Sequence, residues 1–160
     1  DYTTAINYHE QRLAIRRLIN DQQGEANTLA RLGTIYGTLG KQTKAIEYSE
    51  QSLAIYRLVN DQAGESNALS GLGGIYEVFG NYAKAIEYYQ KSLTISQKIQ
   101  SKPRELVAFA DIASVLQKQK QPELAIVFYK QSINVSEVIR RDTRHLDREL
   151  QVTYTARVAE

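Results

Sequence analysis

His9 and His145 are the only imidazoles in the chain, and they lie near its opposite ends. His9 falls in the slot that Ser49 and Tyr89 hold forty and eighty residues later, which reads as a packing or surface position. Cysteine is absent, so there is no thiolate nucleophile and no disulfide framework. Without it there is also no Cys/His cluster at metal-ligand spacing. Asp111 and Glu123 offer a carboxylate pair, but a chain with 18 Asp and Glu offers many such pairs. Gly71, Gly73 and Gly74 suggest a phosphate cradle, yet they lie inside a helical pattern with no strand before it, as the dinucleotide fingerprint would require. Gly40 and Lys41 are followed by Gln42, and Ile35 stands where a phosphate loop needs glycine. The expectation is no catalytic residue, no cofactor, no metal and no enzyme.

Arg140, Arg141, Arg144 and Arg148 are the one basic concentration, with Asp142, Asp147 and Glu149 beside them. No row of aromatics accompanies them for base stacking, and the net charge is only +2. They read as a solvated face with local ion pairs, and nucleic acid is not an expected partner. No run approaches the roughly 18 apolar residues of a membrane span, and no signal peptide is visible. Together with the lack of cysteine, this sets a cytoplasmic expectation.

What positions these residues is a unit of forty. Residues 21–60 fall onto 61–100 without a gap and with about half the positions identical, and 101–140 follow more loosely. A gapless period of this length marks a stacked repeat, and the 42% apolar, 24% charged composition is that of a folded chain. Each unit splits into two amphipathic helices, expected at about 24–39 and 43–59, then from 83 to 99 for the second helix of the next unit. Asp21 and Asp61 are the expected N-caps. Gly40 and Gly80 should end helices in the left-handed conformation. Glycine within a helix costs about 1 kcal/mol against alanine, so Gly33 and Gly73 imply close helix packing. Ala45 and Ala85 mark crossings, and Tyr48, Leu53, Ile55 and their copies supply apolar bulk. In the third unit Pro103 and Pro122 suit first turns.

The array divides at 1–20, the second helix of a truncated repeat, then 21–60, 61–100 and 101–141 as full repeats. A terminal or capping helix is expected at 142–160, with Leu146, Leu150, Tyr154 and Val158 spaced by four. Both ends read as cuts in a longer protein. The exposed apolar faces they would leave suggest self-association.

Leu72, Gly73, Tyr76, Gly80, Tyr82, Ala85, Ile86, Tyr88, Tyr89, Ser92 and Leu93 together resemble the tetratricopeptide repeat motif. Leu69 stands where that motif prefers Trp. The usual repeat has 34 residues; a unit of 40 is similar to the long-period subclass of kinesin light chain and spindle-orientation adaptors, and implies a longer second helix and following loop. The tail resembles, more weakly, the helical segment before a caspase-like peptidase in some bacterial multidomain repeat proteins.

The resemblance implies an all-α right-handed superhelix whose first helices line a concave groove. Its stripe should hold Asn27, Ala30, Arg31, Thr34 and Thr38, then Asn67, Ser70, Gly71, Gly74, Glu77 and Val78. The third repeat adds Val107, Ala110, Asp111, Ser114 and Lys118. Asn27 and Asn67 could each donate to and accept from a peptide backbone. Arg31 and Asp111 place opposite charges at one equivalent position and could set a ligand's direction. The implied function is a protein-interaction module or scaffold taking a partner peptide or helix. The alternative is the regulatory arm of a larger multidomain enzyme such as a caspase-like peptidase.

Overall fold

In the computed structural model the backbone is described for residues 2–158 and the side chains for residues 2–145. These residues form seven helices: α1 Tyr2–Leu18, α2 Gln22–Thr38, α3 Gln42–Leu58, α4 Gln62–Val78, α5 Tyr82–Lys98, α6 Lys102–Lys118 and α7 Pro122–Val158. Among the described residues there is no strand.

One turn closes all six junctions. After α2, the Lys41 N–H donates to the Tyr36 carbonyl at 2.9 Å and the Gly40 N–H to the Gly37 carbonyl at 3.0 Å. This is the paired bonding of a Schellman end, and it needs a left-handed residue at the turn. Gly40 and Gly80 supply it with φ of 71° and 76°, while Asn20, Asn60, Gln100 and Lys120 adopt φ of 53° to 59° at the other four junctions. The linkers are therefore equally short within and between repeats. A longer loop after the second helix does not exist, because α1 to α6 have 17 residues each. The forty-residue period is two half-repeats with the same turn.

Helix starts follow from their caps. Asp21 and Asp61 accept from the Gly24 and Gly64 N–H groups, each at 2.8 Å, satisfying donors that a first turn leaves open. The helices accordingly start at Gln22 and Gln62, directly after these caps. Salt bridges Arg17–Glu25 and Arg57–Glu65, both 2.7 Å, tie α1 to α2 and α3 to α4.

Packing repeats as well. Tyr36 stacks on Tyr48 at 5.3 Å, and Tyr76 on Tyr88 at 5.4 Å. Lys44 and Lys84 lie over the first ring of each stack. Leu29, Leu32, Leu69, Leu72 and Ile112 are fully buried, and so are Ala45 and Ala85 at their crossings. Gly73 has the tight neighbour its position implies: a Cβ there would lie 2.7 Å from the Tyr89 ring.

α7 differs from expectation. Residues 142–158 are not a separate helix but continue the one that opens at Pro122. In the forty-residue register Arg140 stands where Asn20, Asn60 and Gln100 take the left-handed turn, and Arg141 where Asp21 and Asp61 cap the next helix. Arg140 stays helical, and no glycine or proline after Pro122 interrupts the helix. The expected stripe of Leu146, Leu150, Tyr154 and Val158 lies outside the described side chains.

The curvature can be read from which helices meet. α2 approaches α4 and α4 approaches α6, whereas among the described residues α1, α3, α5 and α7 make no close backbone approach to one another. The first helices of the pairs therefore crowd the inner side and the second helices fan outward. The stack is an all-α superhelix with α2, α4 and α6 on its concave face.

Candidate binding groove

Six of the expected stripe residues come together between α4 and α6. Glu77 is the hub: Oε1 accepts from Lys118 Nζ at 2.8 Å and from Ser114 Oγ at 3.4 Å, while Oε2 accepts from the Tyr89 hydroxyl at 2.7 Å. Beside it, Ser70 Oγ donates to Asp111 Oδ2 at 3.2 Å. Gly74 lies beside this arrangement, and a Cβ there would make only an ordinary contact with the Tyr89 hydroxyl, at 3.5 Å. The patch carries two carboxylates and one ammonium group, with hydroxyls between them.

Its electrostatics follow from partial burial. Removal from water raises the Asp111 carboxyl above the usual carboxylate range, and the Glu77 charge adds to this while the Ser70 hydrogen bond opposes it. Burial first, then the bond to Glu77, pushes the Tyr89 phenol upward, so it stays a donor. The hydrogen bond to Glu77 and the charge behind it hold Lys118 protonated above its ordinary value.

The asparagines are already engaged. Asn27 Oδ1 accepts from the Tyr56 hydroxyl at 2.8 Å, and its Nδ2 donates to the Gln23 carbonyl at 2.9 Å. Asn67 Oδ1 accepts from Arg104 Nε at 3.1 Å. Each therefore meets a ligand mainly through its remaining amide hydrogens. Thr34 and Thr38 turn their hydroxyls back to the α2 backbone, onto the Ala30 and Thr34 carbonyls. Arg31 is exposed on α2, apart from the Glu77 patch. Gly71 faces open space, and Val78 and Val107 are exposed.

Two contributors had little signal in the sequence. Tyr89 stands in the slot of His9 and Ser49, where the residue type changes from copy to copy. Arg104 replaces Gly64 and reaches the groove from the start of α6. A hydroxyl donated across twelve residues has a second instance, Tyr129 to Gln117 Oε1 at 3.1 Å, forty residues beyond Tyr89 and Glu77.

The residues weighed for chemistry do not assemble. His9 packs edge-on to Tyr8 at 5.5 Å, and its pKa is lowered by burial and by Arg31 and Arg12. His145 is exposed on α7. Among the described residues no group of three or more His, Asp or Glu could hold a metal ion. No helix there is long and apolar enough to cross a membrane.

The family profile of the tetratricopeptide repeat matches residues 1–57 and 64–137. The chain belongs to the tetratricopeptide repeat family. No curated protein matches it. Among solved structures, this tetratricopeptide array is similar to a putative kinesin light chain with nearly identical repeats from Podosopora anserina. That match has 20% identity and a TM-score of 0.69, covering 88% of this chain and 69% of the other. A signal transduction ATPase with numerous domains and a tetratricopeptide repeat sensor, from Pyrococcus horikoshii, matches with 26% identity and a TM-score of 0.74. Coverage there is 86% of this chain and 21% of that one. PlcR of Bacillus thuringiensis, solved with the peptide PapR7 and DNA, matches with 17% identity and a TM-score of 0.73, covering 92% and 53%. The chain thus spans between a fifth and about two thirds of these proteins.

Proposed function

We propose that the array is a non-catalytic interaction module, and that its concave face receives an extended or helical segment of a partner protein. The observation that carries this reading is the Glu77 patch: a repeating core holds non-repeating charged and hydroxyl groups on the inner helices, partly buried yet open to the groove. Proteins of this family generally act as scaffolds that bind protein or peptide partners, and PlcR was solved with a peptide. A segment in such a groove buries less than a standard interface, so an affinity of about 1 µM is expected. Asn27, Arg31, Asn67 and Asp111 replaced together by alanine test the reading. The substitutions should abolish binding of a peptide selected against the chain from a random display library. Unchanged affinity would refute the groove assignment.

A second reading draws on the Pyrococcus horikoshii ATPase, of which a stretch like this chain spans 21%. Here the array is the regulatory arm of a larger enzyme and its groove meets that enzyme's own catalytic part. A natural reading frame with a peptidase or ATPase segment beyond these residues favours it; one with no such segment on either side contradicts it. A self-association reading rests on the exposed Ile15 and Leu18 of α1 and on Ile19 just after it. It predicts a dimer by light scattering, in both this chain and a longer natural one.

A further inference from the structure

Positions 56 and 96 are equivalent in the forty-residue register, and so are 64 and 104. At the first interface Tyr56 of α3 is buried against Gly64, and any Cβ on that glycine would strike the ring. The Tyr56 hydroxyl reaches Asn27. At the next interface the sizes are exchanged: Ser96 stands for Tyr56 and Arg104 for Gly64. Arg104 does not fill the vacated space, because Nε is drawn to Asn67 Oδ1 at 3.1 Å and Nη1 to Ser101 Oγ at 3.0 Å. A cleft of about 320 Å³ remains between Ser66, Asn67 and Ser70 of α4, Ser92 of α5, and Arg104 and Val107 of α6. A cavity of about 150 Å³ already accepts a benzene ring.

The chemistry of the floor is selective. Ser92 Oγ donates to the Ser66 carbonyl at 2.9 Å and Ser96 Oγ to the Ser92 carbonyl at 2.8 Å. Ser66 Oγ lies 3.0 Å from Ser92 Oγ and 2.9 Å from Ser96 Oγ, so its single proton is also used within this trio. Ser66 and Ser92 are 1% and 3% exposed. Their remaining capacity is to accept. The mouth opens on the groove through exposed Asn67 and Val107.

We propose that this cleft receives a tyrosine side chain of the partner segment, its ring standing where Tyr56 stands one repeat earlier and its hydroxyl donating to the serine floor. The proposal deepens the groove reading by naming the residue that anchors the segment.

The test uses p-cresol, the tyrosine side-chain analogue, followed through the backbone amide shifts of the ¹⁵N-labelled chain. p-Cresol should shift Ser66, Asn67 and Arg104 saturably. Toluene should bind at least about fivefold more weakly, as expected for one lost hydrogen bond. Ser96→Tyr with Arg104→Gly rebuilds the Tyr56–Gly64 arrangement and should abolish these shifts while circular dichroism stays helical. Ser66→Ala provides a second variant that leaves the cleft open; it should weaken p-cresol but not toluene. Equal binding of the two probes, shifts confined to another surface, or displacement of p-cresol by millimolar acetate as an anion competing for Arg104 would overturn the proposal. The p-cresol shifts test the cleft without any peptide, so its failure and that of the groove reading are distinguishable.

Discussion

The Tyr89 hydroxyl donates to Glu77 Oε2 at 2.7 Å from a ring that lies against the α4 backbone at Gly73. A core side chain of the outer helix α5 thereby holds a carboxylate of the inner helix α4 in the groove. Packing and site are joined at this point, and the missing Cβ of Gly73 makes it possible.

Gly73→Ala should destabilise the array. Alanine gains about 1 kcal/mol in helix propensity, but the added methyl meets a buried ring at 2.7 Å, and overpacking of this kind costs about 1–3 kcal/mol. The net effect in urea unfolding should be a loss. Gly71→Ala is the control: it faces open space and should gain stability.

Tyr89→Phe keeps the ring and removes only the donor to Glu77, at a cost of about 1 kcal/mol. The raised phenol pKa also has a signed consequence. Above about pH 10 the unfolded chain ionises this group before the folded one does, so stability falls as pH rises from there. Alkaline denaturation of Tyr89→Phe should be less steep than that of the parent.

The acidic side has two opposed contributions. Asp61 has a lowered pKa, chiefly because its carboxylate accepts from the Gly64 N–H. Its stabilisation is present above about pH 4 and is lost as pH falls through the lower folded value. Asp61→Ala should cost about 1 kcal/mol near neutral pH and little in strong acid. Asp111 is raised by burial, so its charge costs stability at neutral pH and protonation relieves that cost. Asp111→Asn should therefore be more stable than the parent at pH 7, measured by urea midpoint.

Lys120 holds the left-handed turn position that Gly40 and Gly80 hold elsewhere, with φ of 59°. Lys120→Gly should raise stability by roughly 0.5–1 kcal/mol, because the strain of a side chain there outweighs the added freedom of the unfolded chain. A lowered thermal midpoint would contradict this account of the turn.

The forty-residue period carried nearly all of the fold, since Asp21, Gly40 and their copies mark the helix ends through local hydrogen bonds. Local chemistry also explains the misplaced break near 141. The drift away from the repeat there suggests a boundary, but a boundary needs a residue that takes the left-handed turn, and Arg140 does not do so where Asn20, Asn60 and Gln100 do. The groove was legible as a stripe and not as a constellation. Glu77 and Lys118 meet across forty-one residues, and Ser70 and Asp111 across the same separation, at a helix crossing whose spacing depends on the packed core. The consequence of Ser96 standing where Tyr56 had been also required the third dimension, because only there does Arg104 turn aside and leave a cleft.

The central claim is that the inner helices α2, α4 and α6 carry the binding surface. The most direct measurement takes the tightest peptide selected from a random display library and maps its titration onto the amide resonances of the ¹⁵N-labelled chain. The account predicts saturable shifts concentrated at Asn67, Ser70, Gly74, Glu77, Asp111 and Ser114, with a dissociation constant of about 1 µM. Shifts confined to the outer helices, around Glu47, Glu87 and Lys91, would contradict it.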